Sequence, residues 1–241
     1  MLKQDAITPL YVQLMEELET SIRNGVYKPG DKIMTEAELA KDYGVSLITV
    51  RKAVGSLMEK GLVVRKQGKG TFVTKPKYSR NMKKLQSFTE MCEQMGVKPG
   101  AQVLENRLIM ADKKVADRLG IEPGSNVVYI SRLRLADGEP VQVEKSYFPL
   151  KYAFLLEEDL NNGSMFECLK EKAGAKVASS EKMIELCRAT AEEAALMDVK
   201  KGDYLLFVKS TAYDENGEPM YAGIQLINGD RFSLYVYESG K

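Results

Sequence analysis

TEAELAKDYGVSLITVRKAVGSLMEKGLVVRKQGKGTFVT, which spans residues 35–74, decides the fold of the first part of the chain. Thr35 and Glu38 have the spacing of a capping box, which predicts the start of a short helix that Gly44 ends. Ser46 predicts the cap of the next helix, whose apolar residues recur with helical spacing. Two helices joined by a short, glycine-containing turn are typical of a helix-turn-helix.

The remainder of this stretch predicts a β-hairpin. Residues 62–66 and 71–74 are rich in β-branched residues, and residues 67–70 between them carry two glycines and a lysine. The lysine-bearing tip would project from the helices as a wing. The GKGT motif at 68–71 lacks the full spacing of a phosphate-binding loop and joins two strands, which disfavours a nucleotide-binding enzyme.

Another helix is predicted before this stretch. Thr8 is expected to be its cap and Pro9 its first residue, and leucine or isoleucine recurs every four residues from Leu10 to Ile22. Three helices followed by a hairpin give the order of a winged helix-turn-helix.

Charge is unevenly placed along the chain. Residues 5–42 have a net charge of −4, whereas residues 46–77 carry eight basic residues and one acidic residue, a net charge of +7. A basic stripe in a chain of net charge +1 predicts a polyanion partner, here double-stranded DNA. A solvated basic face is the alternative.

The first turns of the third helix and the hairpin tip are predicted to face DNA. A helix fits the major groove, and its N-terminal residues reach the base edges. The predicted DNA-binding residues are Thr35, Ser46, Leu47, Ile48, Thr49, Arg51, Lys52, Gly68, Lys69 and Gly70.

This region resembles the winged helix of the GntR family of transcription regulators. The motifs that carry the resemblance are Pro9-Leu10-Tyr11-Val12-Gln13-Leu14, Gly25-x-x-x-Pro29-Gly30-Asp31, Glu38-Leu39-Ala40, Gly44-Val45-Ser46, Thr49-Val50-Arg51 and Gly68-x-Gly70-Thr71-Phe72-Val73. Ala37 and Leu47 stand where the family usually has an arginine that contacts DNA. The resemblance therefore implies basic contacts shifted toward Arg51, Lys52 and Lys69.

A basic segment, residues 76–84, is predicted to link a DNA-binding domain, residues 1–75, to a second domain, residues 85–241. Five basic residues and no acidic residue lie between Lys75 and Lys84. This segment either reaches DNA phosphates or is a solvated tether.

The second domain contains an internal repeat. A helix, a turn, a long strand, a hairpin and a second long strand recur after 78 to 79 residues. The matched motifs are Ala116-x-x-Leu119-Gly120-Ile121 with Gly138-Glu139-Pro140, and Ala194-x-x-Met197-Asp198-Val199 with Gly217-Glu218-Pro219. Two such units predict one antiparallel sheet with a pseudo-twofold axis, and a cleft near that axis is a natural ligand site.

Arg132 and Arg134 lie two residues apart in a predicted strand, so both side chains point to the same face of the sheet. Paired guanidinium groups bind phosphate or carboxylate. The alternative is an ion pair with Glu144, which the hairpin at Gly138 brings opposite Arg132. The pattern alone leaves both interpretations open.

Residues 84–238 resemble the UTRA effector-binding domain of the HutC-type branch of the GntR family. The residues that carry the resemblance are Ser87-Phe88-Thr89-Glu90, Arg132-Leu133-Arg134, Gly138-Glu139-Pro140, Glu144-x-Ser146-Tyr147, Ser164 and Gly229-Asp230-Arg231-Phe232. The resemblance implies an antiparallel α+β fold similar to that of chorismate lyase.

In relatives that sense amino-sugar phosphates, four matching positions hold the phosphate and two meet the sugar. The resemblance thus implies effector contacts at Ser87, Thr89, Arg132, Arg134, Glu144, Ser164, Phe166 and Tyr221. Phe166 stands for a tyrosine, Tyr221 for a glutamate and Ile227 for a tyrosine. We therefore expect the anion subsite to be retained and the rest of the ligand to differ.

Composition disfavours several function classes. The chain has no histidine, which removes the commonest general base and metal ligand. Cys92, Cys168 and Cys187 form no Cys-x-x-Cys pair and are expected to be reduced packing residues. No long apolar run and no signal-peptide pattern is present, so we expect a cytoplasmic chain without membrane, metal or cofactor.

These observations predict an effector-controlled, homodimeric DNA-binding regulator, a repressor released by a small anionic molecule similar to a sugar phosphate. No catalytic residue is predicted. One alternative is an enzyme on the chorismate lyase-like fold with a regulatory DNA-binding domain, in which Glu144 and Glu185 would do the chemistry. Another is a purely architectural DNA binder.

Overall fold

The computed structural model describes residues 2, 7–66, 68–75, 77–161 and 163–239. The chain forms two compact units, residues 1–76 and 77–241. Three parts of the predictions lie outside the described residues, namely Gln67 of the hairpin tip, Pro76 of the linker and most of the N-terminal residues 1–6.

The described part of the first unit has three helices followed by a two-stranded antiparallel hairpin. The elements are α1 (Leu10–Arg23), α2 (Glu36–Tyr43), α3 (Leu47–Glu59), β1 (Val63–Lys66) and β2 (Gly70–Val73). This order confirms the predicted winged helix-turn-helix.

Local signals begin and end these helices. Thr35 N donates to the Glu38 carboxylate at 2.7 Å and Glu38 N donates to the Thr35 hydroxyl at 3.3 Å, which completes the predicted capping box. Gly44 ends α2 in the left-handed conformation, with φ of 63°. The prediction for α1 is wrong by one residue. Pro9, not Thr8, is the N-cap, because the Pro9 carbonyl already accepts hydrogen bonds from the first turn of α1.

The apolar faces of the three helices meet in one core. It contains Leu14, Leu18, Leu39, Val50, Ala53, Val54 and Leu57, each at most 1% exposed. Full burial of a valine or leucine side chain contributes about 1.5–3 kcal/mol. This core holds α3 by the face predicted from its spacing and leaves the opposite face to solvent.

The second unit is built from strands and short helices. Its elements are β3 (Tyr78–Asn81), α4 (Phe88–Gln94), β4 (Pro99–Met110), α5 (Lys113–Leu119), β5 (Asn126–Ala136), β6 (Glu139–Pro149), a 3-10 segment (Leu150–Leu156), α6 (Met165–Ala173), β7 (Ser179–Arg188), α7 (Ala191–Met197), β8 (Tyr204–Tyr213), β9 (Pro219–Asn228) and β10 (Phe232–Tyr235).

Six of these strands form one antiparallel sheet in the order β4-β5-β6-β9-β8-β7. Its two halves, β4-β5-β6 and β9-β8-β7, meet at the central pair β6 and β9. Helices α5 and α7 occupy equivalent places in the two halves and begin 78 residues apart in sequence, at Lys113 and Ala191. The sheet therefore has the predicted twofold-related organisation.

β3 and β10 form a separate parallel pair in which Tyr78 lies opposite Phe232. Their rings pack with centroids 5.3 Å apart. The tether prediction for residues 76–84 is corrected here, since residues 78–81 form a strand of the second unit. The partner strand is about 150 residues away in sequence and leaves no local signal.

The cysteines are free thiols. Cys92 is buried, and burial raises the pKa of its thiol to about 11, which makes it an unreactive packing residue. Across the described residues, no helix is both long and apolar enough to cross a membrane.

Candidate functional site

The exposed face of α3 forms one candidate surface of the first unit. Ser46 caps α3 by accepting a hydrogen bond from Thr49 N at 3.2 Å. Leu47 and Ile48 follow in the first turn and are 45% and 76% exposed. Two adjacent apolar side chains in solvent at the start of this helix match a role in DNA contact, because apolar groups in the major groove pack on thymine methyl groups.

A carboxylate on α2 holds two arginines at this surface. Arg51 Nε donates to Glu36 Oε2 at 2.8 Å, and Arg65 on β1 pairs with the same carboxylate. The Arg51 side chain remains 64% exposed. The sequence did not indicate Glu36, because the contact joins three elements that are separated along the chain.

The remaining predicted DNA contacts divide into two groups. The Lys52 ammonium lies 3.9 Å from the centroid of the Tyr11 ring, a cation–π contact with α1. A side chain added at Gly70 would come within 2.5 Å of the Lys32 side chain, so the wing needs glycine at this close approach. The predicted contacts that are exposed elsewhere are Thr35, Gly68 and Lys69.

In the second unit, a pocket on one face of the sheet brings together all eight residues predicted as effector contacts. It is an open cleft of about 380 Å³, including solvent at its mouth. The predicted residues in its lining are Ser87, Thr89, Arg132, Arg134, Glu144, Ser164, Phe166 and Tyr221. They converge because α4, β5, β6, α6 and β9 all border this face.

Arg132 and Glu144 lie opposite each other on β5 and β6. Arg132 Nη2 donates to Glu144 Oε1 at 3.0 Å, and the two side chains are 3% and 10% exposed. Burial raises the pKa of Glu144, but the charges of Arg132 and Arg134 outweigh burial and hold that pKa below its usual value. The ion-pair interpretation therefore applies to Arg132, and loss of one partner from such a buried pair costs about 3–5 kcal/mol.

Arg134 has a different environment. Its side chain is 2% exposed, and its Nε and Nη1 groups are buried without a hydrogen-bond partner among the described residues. Nη2 donates to Thr89 Oγ1 at 3.3 Å, and the guanidinium lies 4.5 Å from the centroid of the Phe88 ring. Burial lowers the pKa of Arg134 to about 10, which still leaves the group charged at neutral pH. A buried cation with unpaired N–H groups is suited to an external anion.

Aromatic rings and the start of α6 form another part of the lining. The Tyr221 ring centroid lies 5.9 Å from that of Phe166 and 5.3 Å from that of Phe148. Ser164 caps α6, accepting a hydrogen bond from Glu167 N at 3.4 Å. The partial positive charge of a helix N-terminus favours a nearby anion.

Both units match known protein families. Residues 10–73 match the gntR family of bacterial regulatory proteins, and residues 94–233 match the UTRA domain. The chain belongs to the GntR family. Within this family it combines a winged helix-turn-helix with a UTRA domain, as the sequence resemblance implied.

Other GntR-family regulators align over nearly the whole chain. The HTH-type transcriptional regulator YurK of Bacillus subtilis is 35% identical over 98% of this chain and 98% of its own. The HTH-type transcriptional repressor NagR of the same species is 34% identical over 98% of this chain and 96% of its own. The crystal structure of PhnF from Mycobacterium smegmatis has a TM-score of 0.68 at 25% identity and covers 95% of this chain and 100% of that chain.

The pocket of this GntR-family chain also contains residues that sequence reasoning missed as contacts. They are Arg80, Gln86, Phe88, Met165 and Gln225. Arg80 belongs to the segment predicted as a tether, yet it is 8% exposed. Its alternation with Tyr78 was the available signal, because two residues spaced by two in a strand share a face.

Proposed function

We propose that this chain is a transcriptional repressor that leaves its DNA operator when a small anionic molecule binds beside Arg134. The observation that carries the proposal is the buried Arg134 guanidinium, whose two unpaired nitrogens lie in a pocket lined by the hydroxyls of Ser87, Thr89 and Ser164. A phosphate or carboxylate would accept these N–H groups, and each such charge-assisted hydrogen bond contributes about 1.5–3 kcal/mol.

The DNA-binding half of the proposal is supported by the exposed first turn of α3 and by the family. NagR, which aligns over almost the entire chain, is named as a repressor. We propose that the chain acts in the cytoplasm as a homodimer held by the UTRA domain. Two winged helices would then contact two half-sites spaced by about 10 base pairs or a multiple of that.

The enzyme alternative is disfavoured by the state of Glu144. A general acid or base works best with a pKa near the working pH. The pKa of Glu144 is instead held below its usual value, and its Oε1 atom accepts from Arg132. This carboxylate is therefore suited to accepting hydrogen bonds from a ligand rather than to transferring protons.

The proposal is tested by joint measurement of ligand and DNA binding. Duplexes selected from a random library by the full chain supply the operator, and sugar phosphates and small carboxylates are screened by thermal shift. A ligand at 100 times its Kd should add about 2.7 kcal/mol of stability. We expect the same ligand to release the duplex in fluorescence anisotropy. Binding that leaves DNA affinity unchanged would refute ligand-controlled release, and turnover of the bound ligand would support the enzyme alternative.

A further inference from the structure

Arg80 enters the effector pocket from an element outside the six-stranded sheet. It lies on β3, opposite Leu234 of β10, and its side chain is 8% exposed. Nearby lysines of the same basic segment, Lys83 and Lys84, are exposed. Arg80 is therefore the member of this segment whose charge is turned into the pocket.

The hydrogen bonds of Arg80 are weak. Nη1 donates to Gln225 Oε1 at 3.4 Å and Nη2 donates to the Gln86 carbonyl at 3.5 Å. Both acceptors are neutral, and both distances exceed the usual range of about 2.7–3.2 Å. Burial lowers the pKa of Arg80, and the charge of Glu144 opposes this shift without cancelling it. The guanidinium is thus desolvated with little local compensation.

Arg80 and the two sheet arginines lie on different sides of Glu144. Across the sheet, Glu144 is paired with Arg132 on one side and with Gln225 on the other, and Arg80 contacts Gln225. The strands that carry Arg132 and Gln225 are about 10 Å apart, since neighbouring strands are spaced by about 4.8 Å. Electrostatic effects agree with this separation. Arg132 acts on Arg134, whereas Arg80 acts on Lys182.

Charge in the pocket is unbalanced. Among the described residues of its lining, three arginines face one carboxylate, Glu144, which is already paired with Arg132. A single anionic group beside Arg134 would leave Arg80 without a counter-charge.

We propose that Arg80 forms a second anion subsite, so that the effector carries an anionic group at each end of a hydroxylated or amine-bearing middle portion. This inference rests on the effector-binding function proposed above. One anionic group lies at Arg134 and Thr89, and the other, a carboxylate or phosphate, lies at Arg80 and Gln225. Glu144, between the two subsites, accepts hydrogen bonds from the middle portion.

The test uses two probes that share one phosphate and differ at the other end, glucose 6-phosphate and 6-phosphogluconate. Isothermal titration of the full chain should show about tenfold tighter binding of 6-phosphogluconate, the increment of one charge-assisted contact. Arg80→Gln should abolish this preference and change the Kd of glucose 6-phosphate by less than about threefold. Arg80→Lys should retain part of the preference. Lys83→Gln, which removes an exposed charge from the same segment, is the matched control and should retain all of it.

Three results would overturn the second subsite. The parent chain could bind both probes equally, Arg80→Gln could keep the parental preference, or Arg80→Gln could weaken both probes to the same extent. If neither probe nor any other anion of the screen binds the parent chain, the proposed function itself fails, and this outcome is distinct from the other three.

Discussion

Replacing Arg134 by methionine should stabilise the ligand-free protein while it weakens effector binding. The pKa of Arg134 falls from 12.5 to about 10 because the charged group is buried. At about 1.36 kcal/mol per pKa unit, the buried charge costs the ligand-free fold roughly 3 kcal/mol. Methionine has a similar length, carries no charge and loses only the long hydrogen bond to Thr89 and the cation–π contact with Phe88.

We expect a net gain of about 1–2 kcal/mol, because the cation–π contact itself is worth about 0.5–2 kcal/mol. At about 2–4 °C per kcal/mol, the Tm of the ligand-free chain should rise by roughly 2–8 °C. The affinity for the sugar phosphate that gives the largest thermal shift should fall by one to two decades, since each lost charge-assisted bond contributes about 1.5–3 kcal/mol. Thermal unfolding and isothermal titration measure the two effects.

The matched control is Arg107→Met, which removes an arginine from β4 whose side chain is 59% exposed. It should change the stability by less than about 1 kcal/mol and leave the ligand Kd unchanged. If Arg134→Met unfolds at a lower temperature than the parent chain and binds the ligand equally well, Arg134 is a structural residue. The anion-site argument would then be refuted.

Three further predictions concern DNA, pH and assembly. Arg51→Ala should weaken operator binding by about 1–3 kcal/mol and relax specificity at one base pair in anisotropy titrations, with a smaller effect for Lys69→Ala; parental affinity of Arg51→Ala would contradict the proposed orientation of α3. The affinity for a phosphorylated effector should be constant between about pH 7 and 9, because Arg134 and Glu144 keep their charges there, and should fall below about pH 6 as the phosphate gains a proton. Titrations that show a change of affinity between pH 7 and 9 would point to another ionising group. A fragment of residues 77–241 should sediment as a dimer at micromolar concentration, and it must begin before β3 because that strand pairs with β10; a monomer would remove the dimer proposal.

Local signals made much of the fold predictable. The capping box at Thr35 acts within four residues, and the 78-residue repeat matches whole motifs, so both survive without knowledge of distant contacts. The shared face of Arg132 and Arg134 follows from strand geometry alone. The positions of Glu144 and Arg132 opposite each other follow from the hairpin between them.

Long-range contacts were not predictable. Arg80 is buried because β3 pairs with a strand about 150 residues later, and no periodicity near residue 80 indicates that partner. Glu36 meets Arg51 and Arg65 only after α2, α3 and β1 have packed. The different environments of Arg132 and Arg134 also needed the structure, because identical residues two apart differ only in their cross-strand and helical neighbours.

The twofold organisation of the sheet has a consequence for stoichiometry. The positions equivalent to Arg132 and Glu144 in the other half are Ser210 and Gly223, which also lie opposite each other on paired strands. A side chain at Gly223 would come within 2.9 Å of the Ser210 hydroxyl, and Arg118 donates to the Gly223 carbonyl at 3.0 Å. Duplication therefore supplied two copies of the scaffold, of which one keeps the charged groups and the other has become a packing surface. Saturation at one ligand per chain, and two per dimer, is the titration endpoint that this asymmetry requires.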